Sequence, residues 1–202
     1  NGTGKSSLIS LLTGFKQEES GRILFLGKDL KEWLKDKRQK RDFYSRLGIL
    51  FQDVDSQLFN CTVYDEIAFG PRQLGLTEEV SQRVQDTLSL LKIEDLRDRV
   101  PYQLSGGEKK KVAFASIMVT NPDVYILDEP FNNLSKEYEK FFRELLHELH
   151  SAGKTIIMSA HHFKHLHHEK ADVLLFEDGK ADFFPAQEVL SNQQVIERLS
   201  HY

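Results

Sequence analysis

Apolar residues recur along this chain of 202 residues in two rhythms: short continuous runs, and stripes at three- to four-residue spacing. A run within 20–27, ended by Gly27, predicts a first short strand. Leu47-Gly48-Ile49-Leu50-Phe51 predicts a buried one, and Val124-Tyr125-Ile126-Leu127, Thr155-Ile156-Ile157-Met158-Ser159 and Asp172-Val173-Leu174-Leu175-Phe176 predict three more. The last is followed by a turn over 177–180. Helical stripes lie between the runs. Leu8, Ile9, Leu11 and Leu12 open a helix directly after the first seven residues. Residues 28–41 are heavily charged, with only Leu30, Trp33 and Leu34 apolar, which predicts an exposed amphipathic helix. After a polar loop over 53–59, a helix over 62–69 takes Thr62 as its N-cap and is broken by Gly70-Pro71. Thr77-Glu78-Glu79 opens a helix to about 91, whose Val80, Val84, Leu88 and Leu91 mark a core or partner-facing stripe. Further helices are predicted after the Gly106-Gly107 pair, with Ser105 as the candidate cap, to about 118, over 137–150, and in a tail at about 186–190 and 193–199. Alternating strands and helices argue for an α/β fold with a mostly parallel sheet covered by helices. Ligands of such sheets sit at the strands' carboxyl ends, where the turn at Lys5, Gln52, Asp128, Glu129 and His161 all fall and can converge.

Composition narrows the function classes. The length suits one domain, or one with a small appendage. A net charge of −4 gives no overall pull toward nucleic acid or an anionic membrane. The basic cluster Lys35-Asp36-Lys37-Arg38-Gln39-Lys40-Arg41 has no interleaved aromatics and reads as a solvated helix face, so no nucleic-acid partner is expected. The single cysteine, Cys61, excludes an internal disulfide, fits a reducing compartment and is expected to be buried or incidental. No apolar run approaches the ~20 residues that span a bilayer, and no export signal is present.

The chemistry begins at Asn1-Gly2-Thr3-Gly4-Lys5-Ser6-Ser7, the back of a phosphate-binding loop, G-x-x-x-x-G-K-[S/T]. The opening glycine would lie two residues before Asn1, so the sequence reads as a fragment that lacks its natural N-terminus. Backbone N–H groups of the turn cradle phosphates, Lys5 reaches the β/γ-phosphates and the Ser6 hydroxyl binds Mg²⁺. The following helix adds its positive N-terminal dipole. An ordinary glycine turn capping a helix would look the same in isolation. Leu104-Ser105-Gly106-Gly107-Glu108 is a second glycine-rich helix start able to face an anion. Asp128-Glu129 ends an apolar strand. In a chain with a phosphate loop, the pair suggests Asp128 at Mg²⁺ and Glu129 polarising the attacking water, against the alternative of a plain acidic turn.

Taken together, these motifs resemble the ATP-binding cassette (ABC) ATPases over nearly the whole chain. Asn1 to Ser7 match the Walker A end, Leu50-Phe51-Gln52 the Q-loop, Leu104 to Glu108 the signature, Val124 to Glu129 Walker B, and His161 the switch histidine. The resemblance implies a P-loop NTPase fold of the ABC type. One ATP-binding domain would span 1–202 without the family's first strands, with a helical subdomain at about 53–121 and a helical tail at about 185–202. It implies ATP and Mg²⁺ as cofactors, with Lys5 and the 1–7 loop on the phosphates and Ser6, Gln52 and Asp128 at the metal. Glu129 would be the catalytic base, with His161 at the γ-phosphate and Lys5 and Gln52 completing the catalytic set. Leu104, Ser105, Gly106, Gly107 and Glu108 would face the ATP of a second subunit, in a homo- or heterodimer. The cassette would attach peripherally to the cytoplasmic face of the membrane through a transmembrane coupling protein. The segment from Leu47 to Phe59, with Gln57, and the Ala68-Phe69-Gly70-Pro71 and Leu74-Gly75-Leu76 runs are similar to the energy-coupling-factor ATPases. These power uptake of cobalt, nickel or vitamins.

Three positions depart from the pattern: Ser135 where the D-loop region usually has aspartate, Lys111 where arginine is common, and His162 where aspartate is frequent. The histidines 161, 162, 165, 167 and 168 have helical spacings but no cysteine or carboxylate set to complete a compact metal site. A repair or chromosome ATPase would place a long coiled coil between Gln52 and Leu104, and sustained heptads are absent there. A translation-type protein would carry two cassettes and a basic linker. A generic importer or exporter ATPase shares the layout without the 68–76 run. A cassette that binds ATP without hydrolysing it is disfavoured by Lys5, Glu129 and His161.

Overall fold

A computed structural model describes residues 4–76, 78–161, 171–177, 179–192 and 195–197. They divide into two compact units, Leu24–Met158 and Asn1–Ile23 with Ser159–Tyr202.

The larger unit is built on three parallel strands, β3 (Leu47–Leu50), β4 (Val124–Leu127) and β5 (Thr155–Met158), with β4 in the centre. Leu50, Leu127 and Met158 stand in register, so all three strands end at one edge. The near-absence of polar residues in β3 and β4 follows from coverage on both faces. The smaller β1 (Leu24–Phe25) and β2 (Lys28–Asp29) form a hairpin, correcting the single strand expected over 20–27. Leu26 and Gly27 both take left-handed φ, 50° and 76°, as a two-residue hairpin turn requires.

The helix expected over 28–41 is instead α2 (Leu30–Trp33) and α3 (Lys37–Ser45). Asp36 causes the break, because its carboxylate accepts the N–H groups of Arg38 and Gln39 and restarts the helix. Most of the basic cluster is exposed on α3, while Phe43 on the opposite face is fully buried against Phe25 at 5.0 Å. Between β3 and β4 come α4 (Val63–Gln73), α5 (Val80–Leu91) and α6 (Gly106–Met118); a single turn of 3₁₀ helix before α4 (Val54–Ser56) replaces part of the loop expected over 53–59, and two more lie between α5 and α6. Thr62 caps α4 by accepting from the Asp65 N–H. Gly70-Pro71 does not break α4 as expected. Pro71 sits in the last turn, and the Leu74 and Leu76 N–H groups still reach the carbonyls of Gly70 and Pro71, both at 3.0 Å. Gly70 serves packing, since a Cβ there would stand 3.1 Å from the Thr120 methyl. The stripe Val80, Val84, Leu88 and Leu91 is buried in the main core with Val112, Phe114, Tyr125 and Phe142. Helix α7 (Lys136–Ser151) leads back to β5. Cys61 is exposed rather than buried, because it precedes the Thr62 cap in a surface turn.

In the other unit, α1 (Lys5–Leu12) follows the phosphate loop, and β6 (Val173–Glu177) and β7 (Lys180–Phe184) form an antiparallel hairpin before α8 (Ala186–Ser191). Val173, Val189 and Val195 are buried together. Of the last predicted helix only Val195–Glu197 falls among the described residues, and it is helical.

Candidate nucleotide site and its family

Gly4 holds the turn into α1. Its φ of 114° is a conformation that L side chains rarely adopt, and a Cβ would stand 3.3 Å from the Phe176 ring of β6. Lys5 and Ser6 are the first two residues of α1, and no acidic side chain occupies that first turn, so the positive helix end is left for an anion. Thr13 closes the helix from a fully buried position, donating its hydroxyl to the Ile9 carbonyl at 2.8 Å. Asn1, Gly2 and Thr3 lie outside the described residues, as do His162, His165, His167 and His168. His161 is half-buried and belongs with Lys5 and Ser6 to the unit of 1–23 and 159–202.

In the larger unit the edge formed by the strand ends carries Gln52, Asp128 and Glu129. The Asp128 N–H donates to the Leu50 carbonyl at 2.8 Å, which continues the ladder and brings Asp128 beside the Phe51-Gln52 step. Gln52 is exposed. Its position is fixed by Gln57, whose primary amide donates to the Ile49 carbonyl at 3.1 Å and accepts the Phe51 N–H at 3.2 Å. Asp53 caps the 3₁₀ turn that follows, and Asp55 in that turn pairs with Lys109 of α6 at 2.6 Å.

Glu129 is 6 % exposed and takes a left-handed φ of 50°. For a non-glycine residue this costs about 1–3 kcal/mol and is maintained only by its surroundings. The Asn132 N–H donates to the Glu129 carbonyl at 3.2 Å, and the Asn132 side-chain amide donates to the Glu129 carboxylate. The buried Lys110 ammonium donates to the Asn132 carbonyl at 2.8 Å. Burial pushes the Lys110 pKa down, and the negative Glu129 partly opposes this.

The signature begins α6 with a complete capping box. Ser105 Oγ accepts from the Glu108 N–H, while the Glu108 carboxylate accepts from the Ser105 N–H at 2.8 Å and from its hydroxyl at 2.6 Å. These bonds, the hydroxyl's first, hold the Glu108 carboxyl below its ordinary range. Leu104 is buried as the anchor of the turn, whereas Ser105 and Gly106 are exposed. The two glycines differ. A Cβ on Gly107 would lie 2.7 Å from the Tyr138 ring of α7, but among the described residues a Cβ on Gly106 would meet nothing within 4 Å.

The sequence profile of the ABC transporter family matches residues 1–132. The chain belongs to the ABC transporter family. As an ABC ATP-binding subunit it binds and hydrolyses ATP. The nickel import ATP-binding protein LarO of Lactiplantibacillus plantarum is 47% identical over 166 residues, covering 81% of this chain and 69% of that protein. The energy-coupling factor transporter ATP-binding protein EcfA of Carboxydothermus hydrogenoformans is 34% identical, covering 98% of this chain and 72% of its own. Among solved structures, cbiO1 from Clostridium perfringens, described as part of the ABC transporter complex cbiONQ, superposes with a TM-score of 0.80. It is 34% identical over 98% of this chain and 79% of that one. The α/β arrangement of parallel strands and helices is therefore the P-loop fold of ABC ATPases, and the resemblance to the energy-coupling-factor group holds.

Two of the three departures from the family pattern acquire physical roles, His162 lying outside the described residues. Ser135 is the N-cap of α7, its hydroxyl accepting the Tyr138 N–H at 3.3 Å, a task serine and aspartate perform about equally. Lys111 places its ammonium 4.9 Å from the Tyr138 ring centre and 4.7 Å from that of Phe141, and donates to the Leu91 carbonyl. Sequence reasoning passed over Lys110, Asp55 and Lys109. The only hint was a run of three lysines after the signature. Among the described residues no group of three or more His, Cys, Asp or Glu side chains could hold a metal ion, and no helix is long and apolar enough to cross a membrane.

Proposed function

We propose that this chain is the ATPase of an energy-coupling-factor-type importer and powers uptake of a metal ion or vitamin. Two such subunits close head-to-tail around two ATP molecules. The observation that carries the head-to-tail closure is the exposed, fully capped start of α6, where Gly106 has no neighbour among the described residues that would exclude a side chain. A glycine with open space around it is explained if the space is filled from outside, by the phosphates of ATP held on a second subunit.

In this reading Gly2, Thr3, Gly4, Lys5, Ser6 and Ser7 hold the phosphates, with Asn1 at the loop's entry, and the α1 dipole adds to the attraction. The residues suit Mg²⁺: hydroxyl, amide and carboxylate oxygens are the donors that hard cation takes. Ser6, Gln52 and Asp128 would hold it, and it would neutralise phosphate charge. Glu129 orients and activates the attacking water, and His161 contacts the γ-phosphate. Ser105 and the α6 N–H groups complete the charge stabilisation from the second subunit, so hydrolysis waits on closure. The domain limits proposed from sequence, a helical subdomain at about 53–121 and a tail at about 185–202, belong to the same reading.

The membrane partner is reached through the surface beside the Q-loop. Phe59 is 65% exposed and stacks edge-on against the exposed Phe69 at 5.0 Å, on a loop held by the buried Glu66 carboxylate. This supports docking of a transmembrane coupling protein there, which makes the ATPase peripheral at the cytoplasmic face. Import of nickel is what LarO is named for.

The test is Glu129→Gln in the complete transporter, reconstituted into vesicles and offered labelled nickel, cobalt or vitamin. Turnover and uptake are expected to vanish while ATP stays bound and the dimer persists. Wild-type hydrolysis in that variant would refute the role of Glu129. Uptake of none of these cargoes by an active wild-type ATPase would refute the importer reading.

A further inference from the structure

Three consecutive lysines follow the signature glutamate, and each has a different environment. Neighbouring positions on a helix point about 100° apart. Lys109 faces Asp55 after the Q-loop, Lys111 lies over the rings of Tyr138 and Phe141, and Lys110 faces the loop 129–133 after β4. Of the three, Lys110 is the buried one, 6 % exposed. A lysine is seldom buried unless its ammonium is used, and this one donates to the Asn132 carbonyl at 2.8 Å.

Asn132 works in both directions. Its carbonyl accepts from Lys110, while its backbone N–H and its side-chain amide donate to the carbonyl and carboxylate of Glu129. The loop contains two non-glycine residues in the left-handed region, Glu129 at φ 50° and Asn133 at φ 60°. Such a loop needs contacts from outside to keep one conformation. Lys110 makes that contact on the peptide that joins Asn132 to Asn133.

We propose that Lys110 is a positioning residue for ATP hydrolysis: from the second turn of α6 it fixes the Asn132 carbonyl, and through Asn132 it aims the Glu129 carboxylate. The proposal rests on the reading of Glu129 given above. It assigns to the helix that begins with the signature a second task, in its own chain, of holding the water-activating group.

The experiment compares wild type, Lys110→Met, Lys110→Gln, Asn132→Ala and Glu129→Gln in the full-length subunit within its transporter complex. Steady-state ATPase activity gives kcat and KM, and ATP binding is measured separately. Lys110→Met keeps length and apolar bulk but loses the donor. It is expected to lower kcat about tenfold, since a displacement on the order of 1 Å can cost up to about a hundredfold. The KM for ATP should stay within about twofold. Lys110→Gln keeps a donor and should recover most of the rate. Asn132→Ala, which removes the amide but not the carbonyl, should match Lys110→Met, and it reports the same link if Lys110→Met does not fold. Wild-type kcat in Lys110→Met or in Asn132→Ala overturns the proposal. So does a Lys110→Gln variant as slow as Lys110→Met, or a loss of rate that appears equally in ATP binding. A fully active Glu129→Gln would instead remove the reading on which the proposal rests, so the two failures are told apart.

Discussion

Gly106 and Gly107 stand side by side yet have opposite reasons for being glycine. Gly107 is closed by its own chain, since a Cβ would lie 2.7 Å and 2.8 Å from two ring carbons of Tyr138. That ring also lies beneath the Lys111 ammonium, so it cannot move aside without leaving that charge behind. Gly107→Ala is therefore expected to destabilise the protein by about 1–3 kcal/mol, the usual cost of overpacking. Gly106→Ala meets open space, and alanine suits a helix better than glycine, so stability should hold or rise slightly. Its effect belongs to the proposed partner subunit: ATPase activity should fall at least tenfold, the rate equivalent of weakening the hold on the transition state by about 1.4 kcal/mol. Urea denaturation and ATPase assays of both variants check the pair. A Gly106→Ala protein with normal activity would argue against ATP from a second subunit reaching this glycine.

At the scale of elements, the starts of α4 and α6 are held by hydroxyl caps bonded to a carboxylate, and this makes acid stability predictable. Thr62 and then Arg72 hold the Asp65 carboxyl below its ordinary range at the start of α4, and Ser105 does the same for Glu108 at α6. A carboxyl whose folded pKa is lowered contributes stability that is fully present above its unfolded value, about 3.9 for Asp and 4.3 for Glu. The contribution is lost as pH falls through the lowered folded value. The stability gap between wild type and Glu108→Gln should thus be steady near neutrality and shrink as pH drops below about 4. Denaturation curves across that range measure it, and a gap that widens on acidification would contradict the assignment. These caps were legible in the sequence because Thr62 and Ser105 stand just before helical stripes. Strands β3 and β4 were legible too, since burial on both faces leaves uninterrupted apolar runs, whereas the β1–β2 hairpin read as one strand. The helix through Gly70-Pro71 was not, because the reason for Gly70 is the methyl of Thr120, fifty positions away in the sequence and adjacent only after folding. The break at Asp36 was hidden by the charge of its neighbours. Lys110 was hidden for another reason. Its partner is a backbone carbonyl, which no residue letter records.

Over the whole molecule, the same side chain type serves stability in one place and exposure in another, and phenylalanine separates the two. Phe114 of α6 is fully buried, stacked on Tyr125 of β4 at 5.9 Å and edge-on to Phe142 of α7 at 5.4 Å. It joins the signature helix, the central strand and α7 in one core. Burial there is complete enough to push the Tyr125 hydroxyl up to about 12. Phe114→Ala should cost about 3–5 kcal/mol, a large share of the 5–15 kcal/mol that keeps a domain folded. Phe59 is 65% exposed and packs on Phe69, itself exposed. Phe59→Ser should lose at most about 1.5 kcal/mol, the upper worth of one aromatic pair. Thermal unfolding would then rank the variants far apart. Co-purification with the membrane subunits should rank them the other way. Phe59→Ser should release the ATPase from the complex while the free subunit keeps its ATP binding. Phe114→Ala, where it folds, should remain attached, because its ring lies wholly within the core. If Phe59→Ser stays bound with unchanged ATPase stimulation by the membrane subunits, the exposed aromatic pair is not where the proposed coupling protein docks.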